Sequence, residues 1–160
     1  MSALAAGIAV LLIPGSAMAA TTASYSATIK GVEYSATPTV GKFVGRARGD
    51  LPGVWEVVVE HEPLGSDDVQ IEGGTFAIYS DLTVTGTFAD GSIIPRPVPT
   101  WCADELFDIR GELEPDGGGT GSFDVVLTHF RARIGSSSCV TIGATIAGTV
   151  TVELASAATG

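Results

Sequence analysis

The segment that decides the fold is Cys139–Leu154, CVTIGATIAGTVTVEL, near the carboxyl end of the chain. Apolar side chains occupy most of its alternate positions, and threonines occupy many of the positions between them. This period of two residues predicts a β-strand with one buried face. Gly143 and Gly148 predict bends in a strand of 16 residues, which is much longer than the usual 5–6.

The same alternation recurs through the chain after residue 20, interrupted by glycine-containing turns. It predicts about eight strands, over residues 24–34, 40–48, 54–62, 69–80, 82–89, 106–114, 121–134 and 139–154. Because the connections are short and the strands long and bent, we expect an antiparallel meander closed into a barrel. The predicted fold class is all-β, a single antiparallel β-barrel of about eight strands in meander order, with a two-sheet β-sandwich as the alternative.

Two glycine sites and a proline-rich stretch interrupt the alternation. The apolar phase shifts by one residue at Gly73–Gly74, which predicts a β-bulge. Asp90–Gly91 has the composition of a tight turn. Prolines alternate through residues 95–99, which predicts an extended connection that delivers Trp101 and Cys102 to one end of the fold.

The amino-terminal segment predicts export. Residues 3–13 are an uncharged apolar run, and Ala17-Met18-Ala19 matches an A-x-A cleavage site. We expect a signal-peptide helix over residues 1–19, a β-barrel domain over 20–154 and a flexible tail over 155–160. The mature protein is then secreted or lies at the cell surface, and an uncleaved amino-terminal anchor is the alternative. Basic residues usually precede the apolar run of a signal peptide and are missing here, so the true start of the chain is left open.

Export favours a disulfide between Cys102 and Cys139, the only cysteines of the chain. The bond closes a loop of 37 residues, and the chain-entropy model predicts that it raises the free energy of unfolding by about 4 kcal/mol. Two free thiols, one of them reactive, are the alternative.

The charge balance excludes some partners. Acidic residues total 18 and Lys plus Arg total 8, a formal net charge of −10, so we expect no nucleic-acid binding. The negative charge also predicts repulsion from anionic membranes. The apolar run of 11 residues is too short to span a bilayer of ~30 Å, so no stable membrane span is expected after cleavage.

The most informative candidate site lies in residues 121–134. One face of this strand begins with apolar residues and continues as His129, Arg131 and Arg133, while the opposite face becomes apolar. Either a bulge turns the three side chains to solvent, or the strand runs straight and they line the inner wall near one barrel mouth. In the second case the arginines would bind a carboxylate or phosphate, or pair internally with acids such as Glu33, Glu60 or Glu112.

The segment Glu60-His61-Glu62 is a second cluster of polar groups. Its spacing matches no calcium loop, and adjacent strand residues point to opposite faces, so we expect a solvated strand end and no metal site. No serine-hydrolase elbow, metalloprotease motif or phosphate-binding loop is present, and we expect no catalytic residues and no cofactor.

The sequence therefore predicts a secreted, non-catalytic β-barrel that acts as an extracellular or cell-surface binding or structural module, whose partner is an unidentified small molecule or surface. A small-molecule carrier with its site near His129, Arg131 and Arg133 is the alternative, and a small barrel enzyme of the lyase or cyclase type is the second. The expected barrel resembles those of lipocalins and avidins at the level of fold only, because the chain has neither family's motif, and this resemblance implies no function.

Overall fold

The computed structural model describes residues 22–65 and 67–155. It has strands β1 (Thr22–Thr37), β2 (Val40–Gly49), β3 (Gly53–His61), β4 (Val69–Tyr79), β5 (Val84–Pro95), β6 (Glu105–Pro115), β7 (Gly119–Ile134) and β8 (Ser138–Ala155). The predicted signal peptide and the tail after residue 155 lie outside the described residues. No helix in the described ranges is long and apolar enough to cross a membrane.

The strands form one closed antiparallel barrel in the order β1-β2-β3-β4-β5-β6-β7-β8. Each strand pairs with its neighbour in sequence, and β1 pairs with β8. The prediction of an eight-stranded meander barrel is thus confirmed. Closure satisfies the hydrogen-bonding groups that edge strands of an open sheet leave unpaired.

The predicted bulge in β4 is confirmed. The register between β3 and β4 shifts between Glu60 and His61, opposite the paired glycines. Gly74 has φ +128°, a conformation that an L side chain rarely adopts. The bulge lets Val69, Ile71, Phe76 and Ile78 all lie in the core although their spacing changes phase.

The predicted turn at Asp90–Gly91 is wrong. Both residues lie inside β5, where the register with β6 shifts between Phe88 and Asp90. Ala89 is the extra residue of this bulge, and Asp90 and Gly91 pair with Glu112 and Gly111 in a continuous strand. The Asp90 carboxylate accepts a hydrogen bond from the Gly91 backbone N–H at 2.7 Å. Gly91 faces inward, and a Cβ there would lie 2.8 Å from Cδ1 of Ile71.

The inner face is apolar along the length of the barrel. Its core includes Trp55 from β3, Phe76 from β4, Phe107 from β6 and Val152 from β8, each at most 5% exposed. Leu51, in the turn between β2 and β3, is 1% exposed and closes the end at which the chain enters and leaves. The predicted inward face of β8 is confirmed from Ala144 onward, whereas Val140 and Ile142 are exposed.

The opposite end of the barrel carries the longer connections, and we call it the open end. A segment of residues 96–104 links β5 to β6 there, and we call this segment the strap. A disulfide joins Cys102 of the strap to Cys139 at the start of β8, with a Cα–Cα distance of 5.5 Å. The predicted cysteine pair is therefore present, and it holds the strap against the β7–β8 hairpin.

Candidate functional site

A cavity of about 190 Å³ lies inside the open end of the barrel. Four polar side chains lie among its lining residues: the titratable Glu33, His61 and His129, and the hydroxyl-bearing Thr37. The apolar remainder of the lining comprises strand residues of the floor and residues of the two nearby connections: Ala36, Pro38, Phe43, Val59, Pro63, Leu64, Ile93, Ile109 and Leu127. A concave apolar site with a few convergent polar groups is the usual form of a small-molecule site.

The middle of the barrel is filled by side chains. A void of about 40 Å³ remains there, lined only by apolar residues that include Trp55, Phe76 and Phe123. A cavity needs roughly 10–15 Å³ of such volume for each water molecule, so this void is too small for an organic ligand of several atoms. Any ligand inside this barrel therefore lies at the open end, above the packed core.

His61 is the most buried polar residue at the site, with 7% exposure. It follows Trp55, Val57 and Val59 on the inner face of β3. Its Nδ1 lies 2.6 Å from the backbone carbonyl oxygen of Glu62. Because a carbonyl oxygen only accepts hydrogen bonds, Nδ1 carries the proton, and Nε2 of the neutral ring is an acceptor.

Glu33 is the last inward-facing residue of β1 before the register with β2 shifts. Its carboxyl group is partly removed from water, and this desolvation raises the pKa of Glu33 above its usual range. At a given pH, a larger fraction of Glu33 is therefore protonated than of an exposed glutamate, and the protonated carboxyl group donates a hydrogen bond.

His129 lies on the inner face of β7, opposite Glu105 of β6. Its ring packs edge-on against Phe107 with centroids 5.2 Å apart, and its Nδ1 lies 3.9 Å from a Glu105 carboxylate oxygen. Desolvation lowers the pKa of His129, and the charges of Arg131 and His61 lower it further, against the opposing effect of Glu105. The neutral imidazole is thus favoured at the cavity.

Arg131 continues the inner face of β7 beyond His129. Its guanidinium donates from Nη1 to Glu105, and its backbone N–H donates to Asp104 of the strap at 2.9 Å. Its Nε is buried without a hydrogen-bond partner in the described part of the chain. Glu105 therefore already neutralises the cation at the mouth, and it was not among the acids that the sequence suggested.

Arg133 lies beyond the cavity. Its guanidinium stacks over the Trp101 ring at 5.1 Å and donates to the carbonyl oxygens of Gly135 and Ser136 at 3.2 Å and 3.1 Å. Of the three residues suggested for ligand binding, only His129 lines the cavity of about 190 Å³. The strand runs straight enough to place His129 and Arg131 at the mouth, and a contribution of any of the three to binding stays a prediction.

His61 differs from the expectation for its segment. We expected the Glu60-His61-Glu62 segment to be a solvated strand end, and this is wrong for His61, which is buried. The alternation Trp55, Val57, Val59, His61 carried the signal, because it continues an apolar inner face into a histidine. Among the described residues, no group of three His, Cys, Asp or Glu side chains is arranged to hold a metal ion.

A second cavity, of about 470 Å³, lies beside the first, between the strap and the β3–β4 connection. It shares Leu64 and His129 with the cavity inside the open end, so the two adjoin at these side chains. Arg96 and Asp108 form an ion pair at 2.5 Å near this groove, and the hydrogen bond from Arg96 lowers the pKa of Asp108.

The lowered pKa of His129 predicts a loss of stability in mild acid. Its usual value is 6.5, and the folded protein binds this proton more weakly than the unfolded chain. As the pH falls through 6.5, the unfolded chain gains the proton first, so the His129 contribution to the free energy of unfolding decreases. Replacing His129 with glutamine is expected to flatten this slope in denaturant titrations between about pH 7.5 and about pH 5.5.

Glu33→Gln is the matched control for that measurement. The raised pKa of Glu33 gives a contribution of opposite sign, which is lost as the pH rises above its usual value of 4.5. This variant should therefore steepen the acid-side decrease that His129→Gln flattens. An unchanged slope in His129→Gln would contradict the assigned environment of the ring.

The chain was compared with protein-family models, with curated protein sequences and with solved structures, and none of them matches it.

Proposed function

We propose that the protein is a non-catalytic barrel that binds a small, largely apolar molecule at its open end. The observation that carries this proposal is the convergence of three titratable side chains, Glu33, His61 and His129, on one cavity of about 190 Å³ whose other lining residues, apart from Thr37, are apolar. Titratable side chains lose hydration around such a void, and groups in this situation cluster at functional sites.

The polar groups define the chemistry of the ligand. Nε2 of His61 accepts a hydrogen bond, so a ligand with a hydroxyl group satisfies it. The neutral form of His129 is favoured and the ion pair with Glu105 neutralises Arg131, so among the described residues no unpaired lysine or arginine faces the cavity to hold a carboxylate. A small apolar alcohol or phenol therefore fits this site better than an organic acid.

Phenol is the probe we choose for the binding experiment. The chain has only two histidines, so the Hε1 protons of His61 and His129 give two resolved reporters in a proton NMR titration. Saturable shifts of both signals are expected with phenol, and smaller ones with cyclohexane carboxylate. His61→Phe keeps the ring volume but removes the acceptor, and it should weaken phenol binding about tenfold, since a hydrogen bond contributes about 1–1.5 kcal/mol.

The matched control is Tyr79→Phe, which removes a polar group from an exposed side chain outside the cavity. It should leave the phenol affinity unchanged. If neither histidine signal moves at millimolar phenol, or if Tyr79→Phe weakens binding as much as His61→Phe, the proposal of a ligand site at the open end fails.

We place this function outside the cytoplasm. The bonded pair Cys102–Cys139 is compatible with an extracellular location, because disulfides persist in oxidising compartments. The signal peptide predicted over residues 1–19 supports the same location. Detection of the processed chain in the culture medium, with an amino terminus after Ala19, tests this proposal, and an unprocessed chain retained in the cytoplasm contradicts it.

A further inference from the structure

The eight Lys and Arg residues of the chain divide into two groups by their surroundings. Each of the four arginines that follow β4 in sequence has a partner. Three of them form ion pairs, which are Arg96–Asp108, Arg110–Asp124 and Arg131–Glu105. The fourth, Arg133, donates hydrogen bonds to backbone carbonyl oxygens. The other group lies on β1 and β2 and consists of Lys30, Lys42, Arg46 and Arg48. No side chain of this second group makes an ion pair within the described ranges, although the chain has 18 acidic residues.

The cations of β1 and β2 point outward and lie close together. Lys30 and Arg46 are directly opposite each other across the two strands, and Arg48 is opposite Thr28 on the next outward position. All three cations are exposed. Like charges directly opposite on one sheet face are destabilising, so folding alone does not favour this arrangement.

Exposed apolar side chains adjoin these cations. Val32 follows Lys30 on the outer face and is 50% exposed, and Tyr34 beyond it is 59% exposed. Val32 is opposite Thr145 of β8, and a few residues along β8 is Ile142, which is 67% exposed at a register shift. The neighbouring β7–β8 hairpin adds the further exposed residues Phe130, Ile134 and Val140.

We propose that this surface docks the protein peripherally on a bilayer rich in anionic lipids. We define the docking face as Lys30, Val32, Tyr34, Lys42, Arg46, Arg48 and Ile142. Its cations complement the phosphate headgroups of anionic lipids, and its apolar side chains enter the boundary between headgroups and acyl chains. A face with both features fits a lipid surface better than a soluble anionic polymer, which provides no apolar medium for the exposed valine, tyrosine and isoleucine.

The net charge of −10 does not forbid this contact. Eight strands about 4.8 Å apart and tilted by about 40° give a barrel roughly 16 Å across its backbone. The Debye length at physiological salt is about 8 Å, so the acids of β5 and β6 on the far side are largely screened from a bilayer at the docking face. Nearer acids lie on the flanking strands and turn: Glu56 and Glu60 on β3, Glu153 on β8, and Asp50, whose carboxylate accepts the backbone N–H of Ser26.

A second copy of the chain is a poorer occupant of the face. A twofold dimer would place the same cations of both copies against each other, and like charges across an interface are repulsive. The net charge of −10 predicts repulsion between the molecule as a whole and anionic membranes, whereas the distribution of charge over the barrel creates one attractive side.

Sedimentation with phospholipid vesicles tests the proposal, using vesicles with phosphatidylglycerol and vesicles of phosphatidylcholine alone. We expect binding only to the anionic vesicles, with the affinity falling as salt is raised. Each cation contributes about a fivefold factor near an anionic surface, so Lys30→Gln/Arg46→Gln should weaken binding about 25-fold. This variant also removes a like-charge pair, so its thermal stability should not fall.

Arg96→Gln/Arg110→Gln is the matched control, because it changes the net charge equally but away from the docking face. It should bind the anionic vesicles as the wild type does. For the apolar part, Ile142→Ser should weaken binding, while Leu82→Ser, a change at a residue 40% exposed at the other end of the barrel, should not.

Four results would overturn the proposal: equal binding to both vesicle types, equal loss in the two charge variants, binding to soluble heparin without binding to vesicles, or a dimer in solution that Lys30→Gln/Arg46→Gln abolishes. The phenol titration at the open end is unaffected by these outcomes, so the two proposals fail independently.

Discussion

Trp55→Ala is expected to lower the free energy of unfolding by about 4 kcal/mol, a large share of the roughly 5–15 kcal/mol that is typical of a native domain. Trp55 is 1% exposed and lies in the barrel centre. Its indole N–H donates to the backbone carbonyl oxygens of Lys30 and Arg46, at 3.4 Å and 3.2 Å. The variant removes the largest fully buried side chain and leaves a cavity that the surrounding strands cannot fill.

The neighbouring backbone depends on the same side chain. Gly31 and Gly45 are opposite each other in β1 and β2, and the Trp55 ring lies against them. A Cβ at Gly31 would be 2.6 Å from Cζ2 of Trp55, so glycine is required for the ring to approach. The indole thus covers a glycine pair that otherwise leaves the inner wall without side chains.

Denaturant titration measures this loss, with Trp101→Ala as the matched control. Trp101 is 56% exposed and stacks under Arg133, so its removal should cost less than about 1 kcal/mol. Trp55→Phe should be intermediate, because it keeps most of the apolar area but lacks the indole N–H. A similar loss in both alanine variants would contradict the assigned difference between the two tryptophans.

Removing the disulfide by Cys102→Ala/Cys139→Ala is expected to cost about 4 kcal/mol in the chain-entropy model for a closed loop of 37 residues. The cross-link limits the unfolded chain and holds the strap against β8. Cys102 has φ +68°, an unusual conformation for a residue other than glycine, so the strap is held in place against a local backbone preference.

Two measurements separate these effects. Denaturant titration of the double variant against the oxidised wild type gives the loss of stability, and reduction of the wild type should reproduce it. The phenol titration of the folded double variant reports on the open end, where the released strap should weaken binding because its residues line the adjoining cavity. A stability loss below about 1 kcal/mol would show that the strap and hairpin stay ordered without the bond.

The site shows where sequence patterns stop being informative. The alternation in β7 predicts that His129, Arg131 and Arg133 share a face, but it cannot say where the barrel wall ends. In the structure that limit falls between Arg131 and Arg133, because β6 pairs with β7 only as far as Glu105 and His129. One arginine therefore meets an acid at the mouth and the next stacks on Trp101.

The sequence by itself determined the fold class, the strand count and the inward face of most strands, because a two-residue apolar period is a local property of the chain. It also indicated the Cys102–Cys139 pair, since the chain has no other cysteines. Only the tertiary structure decided that Asp90–Gly91 lies inside a strand, that β1, β3 and β7 bring Glu33, His61 and His129 to one cavity, and that four cations share one outer face. These features depend on how the strands are staggered around a closed barrel, and stagger is set by cross-strand packing and closure, which no single strand encodes.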